Sequence, residues 1–191
     1  MNIKIRDTVT LKFRHVYSHP ESMERVVQEF YNLFEQLRKF LLPVKVNSID
    51  GLGWVLLELL NNAVRSPLSL AVNKGIYDIN KIDLYTDIII TKSITTVKED
   101  GLTEIEISVK NRGDYVEDLY TCMQQILNGS MSILDCEECF RHRGSYTGNG
   151  GMGIILSKRQ VENALGGTLS LEWDNGFYDF IIKFKTEGLS C

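Results

Sequence analysis

The chain has 191 residues, 43% of them apolar, with 25 acidic against 21 basic side chains and a formal net charge of −4. That apolar content can bury one substantial core and hardly two, so residues 1–191 are expected to form a single domain. The charge is spread along the chain without a long basic run, which argues against nucleic acid or an anionic membrane surface as the target and for a protein partner or a small ligand.

The opening MNIKIRDTVTLKF alternates charged and apolar residues and lacks the unbroken apolar stretch of a signal peptide. The longest apolar run, Leu52 to Leu60, is interrupted by Glu58 and falls far short of the roughly 20 residues that cross a bilayer. A cytoplasmic location is therefore expected, and with it reduced thiols at Cys122, Cys136, Cys139 and Cys191. Cys136 and Cys139 form a CxxC with His142 three residues on, a cluster that lacks the second half of a structural zinc site; plain thiols in a loop are the simpler reading.

Residues 8–16 alternate and are rich in β-branched types, as in a half-buried strand. From about Glu21 to Leu42 the apolar residues Met23, Val26, Val27, Phe30, Leu33, Phe34, Leu37 and Leu41 recur at three and four, an amphipathic helix that Pro43 stops. A second helix runs from near Ile49 to about Arg65, where Ser66 and Pro67 should interrupt it before a shorter helical stretch, LSLAVNK. Strands follow at about Ile82 to Ser93 and Thr103 to Val109, separated by the turn KEDG. The segment from about Gly113 to Gly150 holds one candidate helix, DLYTCMQQILNG, and little other pattern. A helix from Met152 to about Leu165 ends at Gly166 and Gly167, which suit a left-handed cap, and the strands TLSLEW and FYDFIIKF close the chain around the hairpin signal DNG. Helices and mostly antiparallel strands segregate into layers, so the expected fold class is α+β, a two-layer α/β sandwich.

Three segments carry chemistry. On the second helix Glu58, Asn62 and Arg65 stand at i, i+4 and i+7, one polar stripe on an otherwise largely apolar helix. Such a stripe faces either a wet cleft or charged ligand, or plain solvent on an amphipathic helix; burying the carboxylate unpaired would cost several kcal/mol. Next, Gly148, Gly150, Gly151 and Gly153 lead into the helix at Met152, where bare backbone N–H groups and the helix dipole favour an anion such as phosphate, although glycines also mark hinges. Last, ISVKNRGDY ends a strand in Asn111 and Gly113, a common way to set one hydrogen-bonding group in a cleft and equally the look of an ordinary turn.

Taken together, in this order and spacing, the three segments resemble the GHKL superfamily of histidine kinases, anti-sigma-factor serine kinases, heat-shock chaperones, gyrase and mismatch-repair ATPases. ELLNNA, with Glu58, Asn62 and Ala63, matches the family's asparagine motif, and NGGMGI matches its second glycine motif best at Gly151 and Gly153. The resemblance spans about Ile49 to Phe184. It implies a Bergerat-type ATP-binding fold with a mixed, mostly antiparallel sheet, helices on one face and an ATP lid at about 113–150. It also implies Asn62 as the Mg²⁺ ligand, Glu58 as or beside the general base, and Arg65 near the phosphates. Gly113, Gly148, Gly150, Gly151 and Gly153 would surround the nucleotide. The pattern departs from the family where the adenine-binding Asp is Asn111, where Tyr115 replaces the second glycine of that motif, where Asn149 replaces the first glycine of the GxGxG, and where the usual Thr of the last strand is replaced near Tyr178. An amide presents either oxygen or nitrogen to a base, so the departures point to altered base selectivity or to a site losing its ligand.

His15 and His19 fit no dimerising phospho-acceptor helix, and His142 falls in the lid segment. The architecture therefore looks more like an anti-sigma-factor serine/threonine kinase, which implies ATP, Mg²⁺ and a sigma factor or anti-sigma antagonist as partner. Two alternatives stand beside it: a non-catalytic GHKL-fold module that sequesters a regulator, and a separate catalytic domain serving a response-regulator pathway. The first helix offers Phe30 and Phe34 to a partner or a homodimer, or to the core.

Overall fold

The computed structural model describes residues 3–14, 28, 31–32, 34–40, 49–73, 85–96, 102–112, 117–132, 135 and 152–187. In chain order these form β1 (Ile3–Arg14), α1 (helical at 34–40), α2 (Ile49–Asn73), β2 (Tyr85–Thr96), β3 (Leu102–Arg112), α3 (Glu117–Leu127), α4 (Met152–Leu165), β4 (Thr168–Asp174) and β5 (Phe177–Glu187). The five strands make one sheet in the order β1-β2-β3-β5-β4. The expectation of a mixed sheet is corrected: all four pairings among the described strands are antiparallel. Strands β2 and β3, and β4 and β5, are consecutive and pair directly as antiparallel neighbours, and the register joins β1 to β2 and β3 to β5 in the same sense.

Register explains the two faces of the sheet. Thr103, Ile105, Ile107, Val109 and Asn111 of β3 stand directly opposite Thr186, Phe184, Ile182, Phe180 and Tyr178 of β5. All ten are buried, because this face carries the helices. The other face alternates into charge: Lys183 pairs with Glu106 at 3.1 Å and Lys110 with Asp179 at 3.3 Å, while Ser108 donates to Asp179 at 2.5 Å. The Lys183–Glu106 pair is exposed and contributes little stability, while Asp179 is largely covered and Ser108 is buried. Their larger effect is on register, since a one-residue slip would drive this charge under the helices.

The helices lay one continuous apolar cluster on the sheet, joining Leu37 of α1, Leu52, Val55, Leu56 and Leu59 of α2, Cys122 and Ile126 of α3, and Ile154, Val161 and Leu165 of α4. Here α2 departs from expectation. It runs unbroken for 25 residues through Ser66 and Pro67, although an internal proline costs roughly 3 kcal/mol; the buried stripe at 52–60 fixes its first half on the core. Phe34 packs over Gly53, whose missing side chain leaves room for its ring, so this candidate surface residue serves the core; Phe30 lies outside the described residues. Strands β1 and β2 reach further than their alternation suggested because they pair along their whole length, Ile3 with Thr96 through Arg14 with Tyr85.

Chain reversals follow local chemistry. Asn175 and Gly176, with φ of 52° and 84°, turn the β4–β5 hairpin in the two-residue form that DNG favours. Gly129, with φ of 75°, ends α3 in a Schellman arrangement, its N–H donating to Ile126 and that of Ser130 to Gln125. Gly166, with φ of 62°, caps α4 as expected. One expectation fails on α3: Cys122, 2% exposed, is disulfide-bonded rather than a free thiol. None of the described helices is long and apolar enough to cross a membrane.

Gly167 fits where no other residue does, since a Cβ there would overlap the Lys183 carbonyl and lie 2.8 Å from Phe184 Cβ. Gly167→Ala is expected to lower stability by about 1–3 kcal/mol, read as a lower urea midpoint with an unchanged slope.

Candidate functional site

On α2, positions 52, 55, 56, 59 and 60 form the buried stripe, which leaves Glu58 and Asn62 one turn apart and half-buried at its margin. What they face is the first turn of α4. A Cβ built on Gly153 would stand 2.7 Å from Glu58 Oε2, 3.7 Å from its Cδ and 3.8 Å from Asn62 Nδ2. Two motifs separated by some ninety residues in the sequence thus meet at one point, and the absence of a side chain at Gly153 is what permits it.

The geometry has an electrostatic consequence. The opening N–H groups of a helix have no intrahelical acceptor, and the helix dipole puts partial positive charge there. Glu58 brings a carboxylate to that end of α4, an arrangement worth about 0.3–1 kcal/mol. One helix terminus therefore gathers an anion-binding backbone, a carboxylate and a side-chain amide, and any further anion must share it with Glu58.

Ser157 lies one turn beyond Gly153 on α4, on the same helical face. It is fully buried, and its Oγ finds no hydrogen-bond partner among the described residues. Sequence reading passed over it, although the spacing in GIILS, a small residue four after Gly153, is the pattern that lets two helices approach closely.

A second polar position lies on the sheet. Asn111 is 4% exposed on the helix-covered face near the end of β3, directly opposite Tyr178 on β5 and Thr86 on β2. Tyr178 is 5% exposed, and its cross-strand neighbour on the other side is Trp173 of β4. The two departures from the family pattern at Asn111 and Tyr178 are therefore neighbours in space, with a phenol ring beside the amide.

Arg65 falls within α2, but its side chain lies outside the described residues, as do Gly113, Gly148, Gly150, Gly151, Tyr115, Asn149 and the cluster of Cys136, Cys139 and His142. Among the described residues no group of His, Cys, Asp and Glu is arranged to hold a metal ion. Comparison of the chain with protein-family models and with curated proteins found no match in either.

Two substitutions separate packing from chemistry here. Gly153→Ala meets only the tip of a flexible side chain, so thermal unfolding should be unchanged, or stability higher by up to about 1 kcal/mol from helix propensity. Ser157→Ala removes an unsatisfied buried hydroxyl and should stabilise the protein by about 1 kcal/mol in denaturant unfolding.

Proposed function

We propose that the chain binds Mg-ATP where α2 meets the N-terminus of α4 and acts as a regulatory protein kinase of the anti-sigma-factor serine/threonine type. The observation that carries this reading is the contact of Gly153 with Glu58 and Asn62, the two motifs of the family resemblance converging at a helix end. The α+β architecture, with helices against one face of an antiparallel sheet, is compatible with the Bergerat-type fold that the resemblance implies.

The donor set suits a hard divalent cation. A phosphate arriving at α4 meets the Glu58 carboxylate, and two anions at one helix end repel unless a cation lies between them. Glu58 and Asn62 offer oxygen ligands of the kind Mg²⁺ prefers, and in this reading Asn62 holds the ion. When bound, Mg²⁺ would neutralise charge on the phosphates. The α4 backbone N–H groups hold the transferring phosphate in position, and the resemblance adds Gly148, Gly150 and Gly151 to that role. Glu58, half-buried beside it, takes the proton from a serine or threonine hydroxyl of the partner as that oxygen attacks. Arg65, two turns along α2 from Glu58, is the basic residue that the family resemblance puts near the phosphates. The partner would be a sigma factor or an anti-sigma antagonist, and homodimerisation through the N-terminal elements is compatible with this role.

Asn111 and Tyr178 favour a second reading. With the amide 4% exposed and a tyrosine beside it, little of the position that the family uses for adenine is open to a base. A fold of this kind that sequesters a regulator without turnover would keep the framework and fill that position.

Calorimetric titration with ATP, ADP and GTP, with and without Mg²⁺, separates the two. The kinase reading expects Mg²⁺-dependent ATP binding that Asn62→Ala abolishes. It also expects turnover of γ-labelled ATP that falls by about 10²–10⁴-fold in Glu58→Ala, the range of general-base catalysis. Gly153→Ala, with its fold intact and Glu58 displaced, should lose turnover as well. No binding of any nucleotide at millimolar concentration would leave the sequestering module as the function.

A further inference from the structure

The two edges of the sheet are finished differently. The two-residue turn at Asn175 and Gly176 fixes which backbone groups of β4 face β5, and counted from that turn the Leu171 carbonyl points away from β5. Gln124 Nε2 of α3 donates to this carbonyl at 2.6 Å, so a helix covers part of that edge. At the opposite edge lies β1, 12 residues long, paired on one side to β2 and exposed at Asp7, Thr8 and Thr10.

Charge on β1 is ordered. Lys4, Arg6, Lys12 and Arg14 hold alternate positions of the strand, in phase with the exposed Thr8 and Thr10, whereas Asp7, the one acidic residue of β1, is out of phase. Register runs from Thr8 through Thr91 to Glu106 and Lys183, which assigns these positions to the charged face of the sheet. On that face neighbouring strands set opposite charges together, Glu106 with Lys183 at 3.1 Å and Lys110 with Asp179 at 3.3 Å. At β1 the rule has half its members. Thr95, Ser93 and Tyr85 of β2 stand opposite Lys4, Arg6 and Arg14, and a carboxylate, Asp87, stands opposite Lys12 alone. In a chain of net charge −4, four basic residues in phase on one edge strand reverse the sign locally.

We propose that the outer edge of β1 takes an extended acidic segment of a protein partner as a further strand of the sheet. This is independent of the nucleotide reading. Backbone hydrogen bonds along β1 supply the attachment, and carboxylates at every second position of the segment, in register with Lys4, Arg6, Lys12 and Arg14, select it. The same charges refuse a second copy of the chain. Two β1 strands joined edge to edge over their length would set Lys4 opposite Arg14 and Arg6 opposite Lys12, and like charges directly opposite destabilise a strand pair.

The test titrates the full chain with a fluorescein-labelled peptide of about ten residues in which glutamate alternates with valine, followed by anisotropy. One control peptide carries lysine in place of glutamate, and another keeps the glutamates but is N-methylated at alternate backbone nitrogens. The acidic peptide should bind about tenfold more tightly than the lysine peptide, and N-methylation should abolish binding. Lys4→Glu combined with Arg6→Glu should reverse the preference between the two peptides. In the wild type, bound acidic peptide should slow amide hydrogen exchange at Thr8, Val9 and Thr10. Binding of the methylated peptide as tight as that of its parent, the result of charge attraction alone, would overturn the proposal. So would a dimer of the chain that slows the same amides without peptide, and so would no binding of the acidic peptide at millimolar concentration.

Discussion

The contact on which the candidate site depends is the approach of the first turn of α4 to Glu58 and Asn62 on α2. It is possible because Gly153 has no side chain: a single methyl there would stand 2.7 Å from the Glu58 carboxylate. The same close seam continues down α4 through the fully buried Ser157 and Val161 to the core. The seam sets a charged and an amide side chain against a helix end while the helices behind them pack dry. Electrostatic attraction between the carboxylate and the helix terminus, and apolar burial along the seam, favour one arrangement.

The sheet gives that seam its platform. Strands β3 and β5 present ten directly opposed, buried residues to the helices and a charged, hydrogen-bonded ladder to the other side. This alternation ties the register of the sheet to the position of Asn111, which shares the helix-covered face with its four buried alternate predecessors Thr103, Ile105, Ile107 and Val109. Asn111 and Tyr178 are thus held as cross-strand neighbours by the same period of two that builds the core. Substitution at one of them necessarily changes the surroundings of the other.

Much of this was legible in the residues. Period-two runs marked four of the strands to within a few positions and 3.6-residue periodicity marked the helices, because burial on one face leaves a pattern that any sequence must carry. DNG and the Gly166–Gly167 pair announced their turns, since few residues adopt positive φ cheaply. Where reading failed, a distant partner had decided. Ser66 and Pro67 read as a break, and α2 continues through them to Asn73. Cys122 read as a free thiol, and its bonded state is a matter of which sulfur meets it in space, which composition does not report. Ser157 carried no signal of its own as a hydroxyl, because an unsatisfied buried group is a property of its surroundings.

By itself the sequence determined the kinds of elements, their order, which face of each is apolar, and that Glu58 and Asn62 share one side of a helix. These follow from local periodicity and from the stereochemistry of single residues. Only the tertiary structure decided that Gly153 closes on that pair, that Asn111 and Tyr178 stand together, and that all four described strand pairings are antiparallel. Each of those depends on contacts between segments tens of residues apart, and such contacts form only when the whole apolar surface finds its single most buried arrangement.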